Sequence, residues 1–364
     1  MSVPPPSPVS RRRFLSLSAA ALALQGTFAP GAGASQAVRR RGIKLGLDNF
    51  AVRAMKWKAA QLIDYAAELR TDSLFITDLD AFEKTDDASL GELRKKAADL
   101  GIQIHLGSWS ICPSSKSFKS TWGTAEEHGA LCLRMARALG SPVARFILGA
   151  GHDRLTPGGI RARMADTVAV CKALRSRCEE YGVKIAIENH AGDMQSSELV
   201  ELIEAAGREY VGANLDIGNG VWTMEEPLTT LWNLGPYVLT TSLRDSMVWE
   251  SPKGATVQWV PMGDGVVDLP GFFDVFEKTC PQAPVHIETI GGFQREIAFL
   301  DPDFIQLWPQ RSAADLAGFI RMARKGKPME PGKGAFATEA EFQKAQLERS
   351  LIYCKQSLGL GLKD

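Results

Sequence analysis

Eight short apolar runs of strand type recur along the chain, and helical patterns separate them. They are "IKLGLDNF" from Ile43, "SLFITDLD" from Ser73, "IQIHLGS" from Ile102, "ARFILGAG" from Ala144, "KIAIENH" from Lys184, "VGANLDIGN" from Val211, "VLTTSLRD" from Val238 and "PVHIETIGG" from Pro284. Parallel strands need a crossover between each pair, and no long series of strands or of helices stands alone, so the alternation predicts an α/β chain folded as a (β/α)8 barrel over 43–358. Residues 57–70 place Ala59, Leu62, Ile63, Ala66 and Leu69 on one stripe. Thr124 and Glu127 form a capping box for a helix that stops at Gly140, and Thr338 with Glu341 caps the last helix. Further helices are expected near 89–100, 158–181, 197–206, 227–234 and 269–279. A doubly wound open sheet is the competing architecture, but its GxGxxG after the first strand is absent.

Two connections exceed ordinary loops, 245–268 after the seventh strand and 291–337 after the eighth. The second carries its own helix near 312–325, followed by "KGKPMEPGKG". Both follow strand ends, so in a barrel they overhang the face on which active sites are built. A short tail, 359–364, closes the chain.

The first residues read as a leader. Ser10-Arg11-Arg12 and Phe14-Leu15 precede a modest apolar run, and Ala32-Gly33-Ala34 offers a small-residue cleavage site. The segment 1–34 resembles a twin-arginine signal peptide, with 35–42 as a linker, and implies the twin-arginine export machinery as a partner and a periplasmic or secreted location. The run is broken by Ser16, Ser18, Gln25 and Gly26 and falls short of the roughly 20 apolar residues that span a bilayer. The whole chain balances 42 basic against 42 acidic residues, and loss of Arg11, Arg12 and Arg13 with the leader leaves a small acidic excess, which argues against a nucleic-acid partner. The six cysteines show no CxxC. Cys171 and Cys178 stand about 10 Å apart along one helix axis, too far for a disulfide, and all six are expected free and mostly buried. A monomer and an oligomer are both compatible with this composition.

The polar groups concentrate at the late strand ends. The fifth strand brings Glu188 and His190, the sixth Asp216 and Asn219, the seventh Arg244 and Asp245, and the eighth His286 and Glu288. Carboxylates at the ends of different barrel strands converge on the axis, where three unpaired ones would repel unless a cation neutralises them. A divalent metal held by Glu188, Asp216 and Glu288 is the economical answer, and local pairing of each with a Lys or Arg is the plainer one. Trp109, Trp249 and Trp259 are candidate apolar walls against a sugar face, or ordinary barrel packing. Arg244 suits a carboxylate or phosphate, or a pair with Asp245. No phosphate-cradling glycine loop stands out.

"IENH", "NLDIGN", "SLRDS", "VPMGDGVVD" and "HIET", in that order, resemble the xylose-isomerase-like sugar isomerases and epimerases. The resemblance implies a TIM barrel, a carbohydrate substrate, and a manganese, magnesium, cobalt or zinc ion held by Glu, Asp, His and Glu from strands five to eight. Glu188, Asp216 and Glu288 match three of those positions, and Ser242 stands where the fourth, a histidine, is expected. A hydroxyl is a poor ligand for most divalent ions. Either an oxygen-preferring ion binds with water in the fourth place, or His105 or His190 substitutes, or the metal is lost. The resemblance also gives Glu188 and Glu288 the proton shuttle through a metal-stabilised enediolate. His105, Trp109, His190, Asn219 and Arg244 are the candidate substrate contacts. A lyase acting on an oxidised sugar or glycoside would use the same base and metal. A non-catalytic sugar-binding barrel would use neither.

Overall fold

The computed structural model describes residues 38–363, so the leader and its boundary at 34 lie outside the described residues. Eight parallel strands are joined in the order β10-β1-β2-β3-β4-β5-β6-β7: β1 Leu45–Asp48, β2 Ser73–Ile76, β3 Gln103–Ser110, β4 Val143–Ile147, β5 Lys184–Glu188, β6 Val211–Leu215, β7 Val238–Thr241 and β10 Val285–Ile287. Helices cross between them, as the sequence alternation requires, so the (β/α)8 barrel is the fold. The ring is completed just beyond β7. There the Leu243 N–H donates to the His286 carbonyl (2.8 Å) and the Glu288 N–H donates to the Leu243 carbonyl (2.9 Å). Leu243 packs outward into the core, which leaves its neighbours Ser242 and Arg244 on the axial side of the same short stretch.

The strands divide their side chains by alternation. Leu45 and Leu47, Leu74 and Ile76, Ala144 and Phe146, Ile185 and Ile187, Ala213 and Leu215, Val285 and Ile287 all join the core between strands and helices. The intervening positions face the axis and are largely polar: Asp48, His105, Arg145, Glu188, Asn214, His286 and Glu288, all buried. Around this ring the helices start and stop where local chemistry demands. Thr124 Oγ1 accepts from the Glu127 N–H (3.2 Å), Glu127 Oε2 accepts from the Thr124 N–H (2.8 Å), and Gly140 closes that helix at φ 73°. The helical stretch expected at 158–181 is two helices, Gly159–Ala173 and Arg175–Tyr181, joined at Leu174. All six cysteines are free and buried. Among the described residues no helix is long and apolar enough to cross a membrane.

Beyond the barrel, the long connections build a second layer. β8 (Asp245–Ser251) and β9 (Gly254–Val260) form an antiparallel hairpin, and β11 (Gln294–Ile297) adds to the free edge of β9. This sheet covers its own apolar cluster, in which Val221, Trp222, Val248, Val257, Trp259 and Ile297 meet Phe319 and Met322 from the helix Ala313–Lys325.

Deep in the barrel the layers fit closely. A Cβ on Gly46 would stand 2.4 Å from Ser73 Oγ and 2.6 Å from both His286 Cδ2 and the Ser73 carbonyl oxygen. Gly46→Ala is therefore expected to cost about 1–3 kcal/mol of stability through overpacking, read as a lower midpoint in urea unfolding. An unchanged midpoint would show that this layer yields without strain.

Candidate active site

Four carboxylates end within the upper barrel. Asp48 ends β1, Glu188 ends β5, Asp216 follows β6 directly and Glu288 follows β10 directly; the first three are fully buried and Glu288 is 5% exposed. Glu188, Asp216 and Glu288 bring one oxygen each within 4.8 Å of one another. Backbone geometry fixes Asp216. It caps the helix Ile217–Trp222, its Oδ1 accepting from the Asn219 N–H (3.1 Å), while the Asn189 amide grips its backbone at both ends, Nδ2 to the Asp216 carbonyl (2.7 Å) and Oδ1 from the Asp216 N–H (3.0 Å).

Two buried guanidiniums face these four carboxylates. Arg145, from the middle of β4, donates to Glu188 Oε2 through Nε (2.6 Å) and Nη2 (2.5 Å) and to the Ser108 carbonyl through Nη1 (2.9 Å). Arg244 donates through Nη2 to both Asp216 Oδ2 and Glu288 Oε2. Asn214 Nδ2 adds a bond to Glu188 Oε2 (2.6 Å) and reaches Ser242 Oγ (3.2 Å), which in turn donates to Asp48 Oδ2 (3.2 Å). Asn219 Nδ2 bonds Asp216 Oδ2 (2.5 Å) and Glu188 Oε1 (3.2 Å).

When all ionise, four carboxylates against two guanidiniums leave two negative charges in excess inside the barrel. Burial accordingly pushes Asp216 up to about 7, with Arg244 only partly offsetting it, and pushes Glu288 well above the usual carboxylate range. Burial also raises Asp48. Burial opposes the charge on both arginines, but the facing carboxylates outweigh it and hold both guanidiniums firmly protonated. The excess can be met by protons or by a dication. Three carboxylate oxygens at this spacing fit a divalent ion, and Glu288, which lines the cavity, has only one oxygen engaged by the protein. Ser242 Oγ, by contrast, is already committed to Asp48 and Asn214.

Above this layer lies a cavity of about 560 Å3. Glu288, Asn219, Arg145, Arg244 and His190 contribute to its floor and walls, together with Trp109, Trp222, Trp259 and Phe293. Trp222 and Trp259 stack at 4.1 Å and 6°, with Phe293 against both. Arg53 stands at the cavity with its guanidinium 4.6 Å from the Phe50 ring centroid and Nη1 on the Phe50 carbonyl (3.1 Å); no carboxylate pairs with it among the described residues.

The sequence-derived residues are placed unequally. His190 and Trp109 meet edge to face at the cavity, ring centroids 5.5 Å apart. His190 Nδ1 lies 2.6 Å from the Gly149 carbonyl, which can only accept; burial lowers the ring to about 4 and keeps it neutral, so Nδ1 carries the proton and Nε2 keeps its lone pair. Asn219 lines the cavity but spends its amide N–H groups on Asp216 and Glu188. Arg244 does not pair with Asp245, which turns away to accept N–H bonds from Ser246, Gly263 and Gly265. Two expectations need correction. His105 does not reach the substrate space, because β3 runs on to Ser110 and leaves it a layer lower, 4.8 Å from the His286 ring and 2% exposed. In that lower layer His286 bonds Ser73 and Thr241. Glu188, expected as half of a proton shuttle, lies beneath the cavity surface behind Arg145 and Asn219.

Arg145, Asp48, Asn214 and Trp222 were not singled out by sequence reasoning. Arg145 did leave a signal: an arginine inside the apolar run "ARFIL", at an inward alternation, has nowhere to go except onto a carboxylate.

The chain belongs to the xylose isomerase-like TIM barrel family, whose model matches residues 63–302. It is 25% identical over 222 residues, 60% of this chain and 72% of the other, to the 3-oxo-isoapionate decarboxylase of Pectobacterium atrosepticum. Among solved structures it resembles D-psicose 3-epimerase, crystallised in the presence of D-fructose, with TM-score 0.56 and 15% identity over 87% of this chain and all of that one. It resembles the IolI protein with a bound zinc atom at TM-score 0.54 and 15% identity, over 79% of this chain and all of that one. At these identities the structural likenesses establish the fold. A sugar-modifying enzyme fits the family and these relatives.

Removing one member of the Arg145–Glu188 pair leaves a buried charge without its partner. Arg145→Met is expected to destabilise the protein by about 3–5 kcal/mol, and adding Glu188→Gln to recover part of that loss, both measured by denaturant unfolding. Additive losses would show that the pair is not coupled.

Proposed function

We propose that this protein acts on a small sugar-derived ketone by moving a proton at the carbon next to the carbonyl, through an enediolate. The observation that carries this reading is the environment of Glu288. Among the four buried carboxylates it is the one that lines the cavity, and its affinity for a proton is raised by burial, which strengthens it as a base. Glu188, gripped by Arg145 and Asn214, is suited to holding the floor. His190 Nε2 offers an acceptor to a substrate hydroxyl, and Trp109, Trp222 and Trp259 line the cavity with apolar surface suited to a sugar. Arg145 and Arg244 supply the positive field in which an enediolate oxygen can develop charge. A divalent ion held by Glu188, Asp216 and Glu288, whether manganese, magnesium, cobalt or zinc, would add polarisation of the carbonyl.

One cavity-facing carboxylate favours proton removal and return on a single face, hence aldose–ketose isomerisation over inversion between two opposed bases. A second reading is a lyase. Arg53, a cation at the cavity with no carboxylate partner among the described residues, offers a contact to the anionic end of an oxo acid, and the Pectobacterium relative acts on one by name. In that case Glu288 would protonate the carbon from which carbon dioxide has left.

Incubation with a panel of ketoses and oxo sugar acids in heavy water separates the two: deuterium incorporation without carbon dioxide marks isomerisation, and carbon dioxide release marks the lyase. Glu288→Gln is expected to lower either rate by about 10²-fold or more. Near-normal turnover in that variant would remove Glu288 from the chemistry.

Export by the twin-arginine route is proposed on the leader alone. Arg11→Lys with Arg12→Lys should hold the precursor in the cytoplasm, as seen by fractionation; unchanged export would exclude the route.

A further inference from the structure

The guanidinium of Arg244 sits where two of the three candidate metal ligands meet. A single nitrogen, Nη2, donates to Asp216 Oδ2 and to Glu288 Oε2, so it occupies the bridging position between them. A cation of either kind placed there faces the same two carboxylates.

The surroundings accommodate this side chain specifically. Helix Ile217–Trp222 passes directly against its stem, and a Cβ on Gly218 would lie 2.4 Å from Arg244 Cγ and 2.8 Å from Cδ. Any larger residue there would force the arginine stem to shift. On another side the guanidinium lies 4.3 Å from the Trp259 ring centroid. That ring is itself fixed, its Nε1–H donating to the Gly218 carbonyl (3.1 Å) and its face stacked on Trp222. Arg244 is 2% exposed, and its Nε has no partner among the described residues, so the placement is set by the carboxylates and the ring rather than by a full set of hydrogen bonds. Ser242, two residues earlier on the same axial face, spends its hydroxyl on Asp48 and Asn214 and takes no part.

We propose that Arg244 is the resident cation of this site: its guanidinium and a divalent ion are alternative occupants of the space between Asp216 and Glu288, and the arginine alone holds the two carboxylates together. A divalent ion then binds only by displacing the guanidinium, so its apparent affinity carries the free energy of breaking both bonds and moving a buried charge. On this proposal the carboxylates are assembled before any ion binds. This inference concerns ion occupancy, and it holds or falls independently of which sugar reaction the site performs.

The test is calorimetric titration of the purified protein with manganese chloride, beside thermal melts with and without the ion. Arg244→Met keeps the length of the stem and removes the charge. It should bind manganese at least tenfold more tightly than the unaltered protein, and should melt lower without the ion but regain stability with it, while the unaltered protein shifts little. Arg244→Lys keeps a charge but not the planar fork, and should fall between the two. Should Arg244→Met fail to fold, Gly218→Ala serves, since its methyl group pushes the arginine stem off the carboxylates without removing a charge; it too should tighten manganese binding. Manganese binding by the unaltered protein as tight as by Arg244→Met, or as by Gly218→Ala where the first cannot be prepared, overturns the proposal. So does the absence of binding by any of the three variants.

Discussion

The upper barrel depends on the electrostatic balance between Asp48, Glu188, Asp216 and Glu288 and the two arginines that reach them. Each carboxylate is delivered by a different strand end, so the closure of the ring is what brings them together; each would be costly to bury alone. Arg145 and Asn214 satisfy Glu188 from neighbouring strands, and Ser242 links Asp48 to Asn214 across the β7–β1 side of the ring. The network is thus circumferential. Its members hold one another in register, and the one carboxylate left with an unengaged oxygen, Glu288, is the one that meets the cavity.

A second layer gives the cavity its walls. The β8–β9–β11 sheet carries Trp259 over the barrel mouth, and the turn of helix after β6 carries Trp222 to meet it. Arg244 touches both systems, with its nitrogen on the carboxylates and its face on Trp259. The wall therefore bears on the charge network through one side chain, and the position of the guanidinium reports on both.

Much of this is legible in the sequence, for stated reasons. Period-two alternation marks all eight strands and which of their residues look inward, which is why Glu188, Asp216 and Glu288 emerge as a group. Alternation says nothing about depth along the axis. His105 looks inward as expected, but its strand continues for five more residues, through a register shift between Gly107 and Ser110, and leaves it below the site. The same blindness conceals Glu188 beneath the cavity surface. Arg145 and Asp48 escape because their strands read as wholly apolar or as ending in a turn, and the identity of their partners is a tertiary fact. The hairpin of β8 and β9 is visible in hindsight, since "ATVQWV" alternates after Gly254, but its length and position between barrel elements read as a loop.

The apolar cluster beneath the β8–β9–β11 sheet and the cluster around the barrel have no fully buried residue in common. Stability and recognition are therefore written in largely separate vocabularies. Substitutions at Val248, Val257, Ile297 or Phe319 can reshape the wall while the ring that holds the carboxylates keeps its own packing. A lineage carrying this barrel can in that way change what the cavity admits by drift in the outer sheet, with the packing of the barrel below left in place.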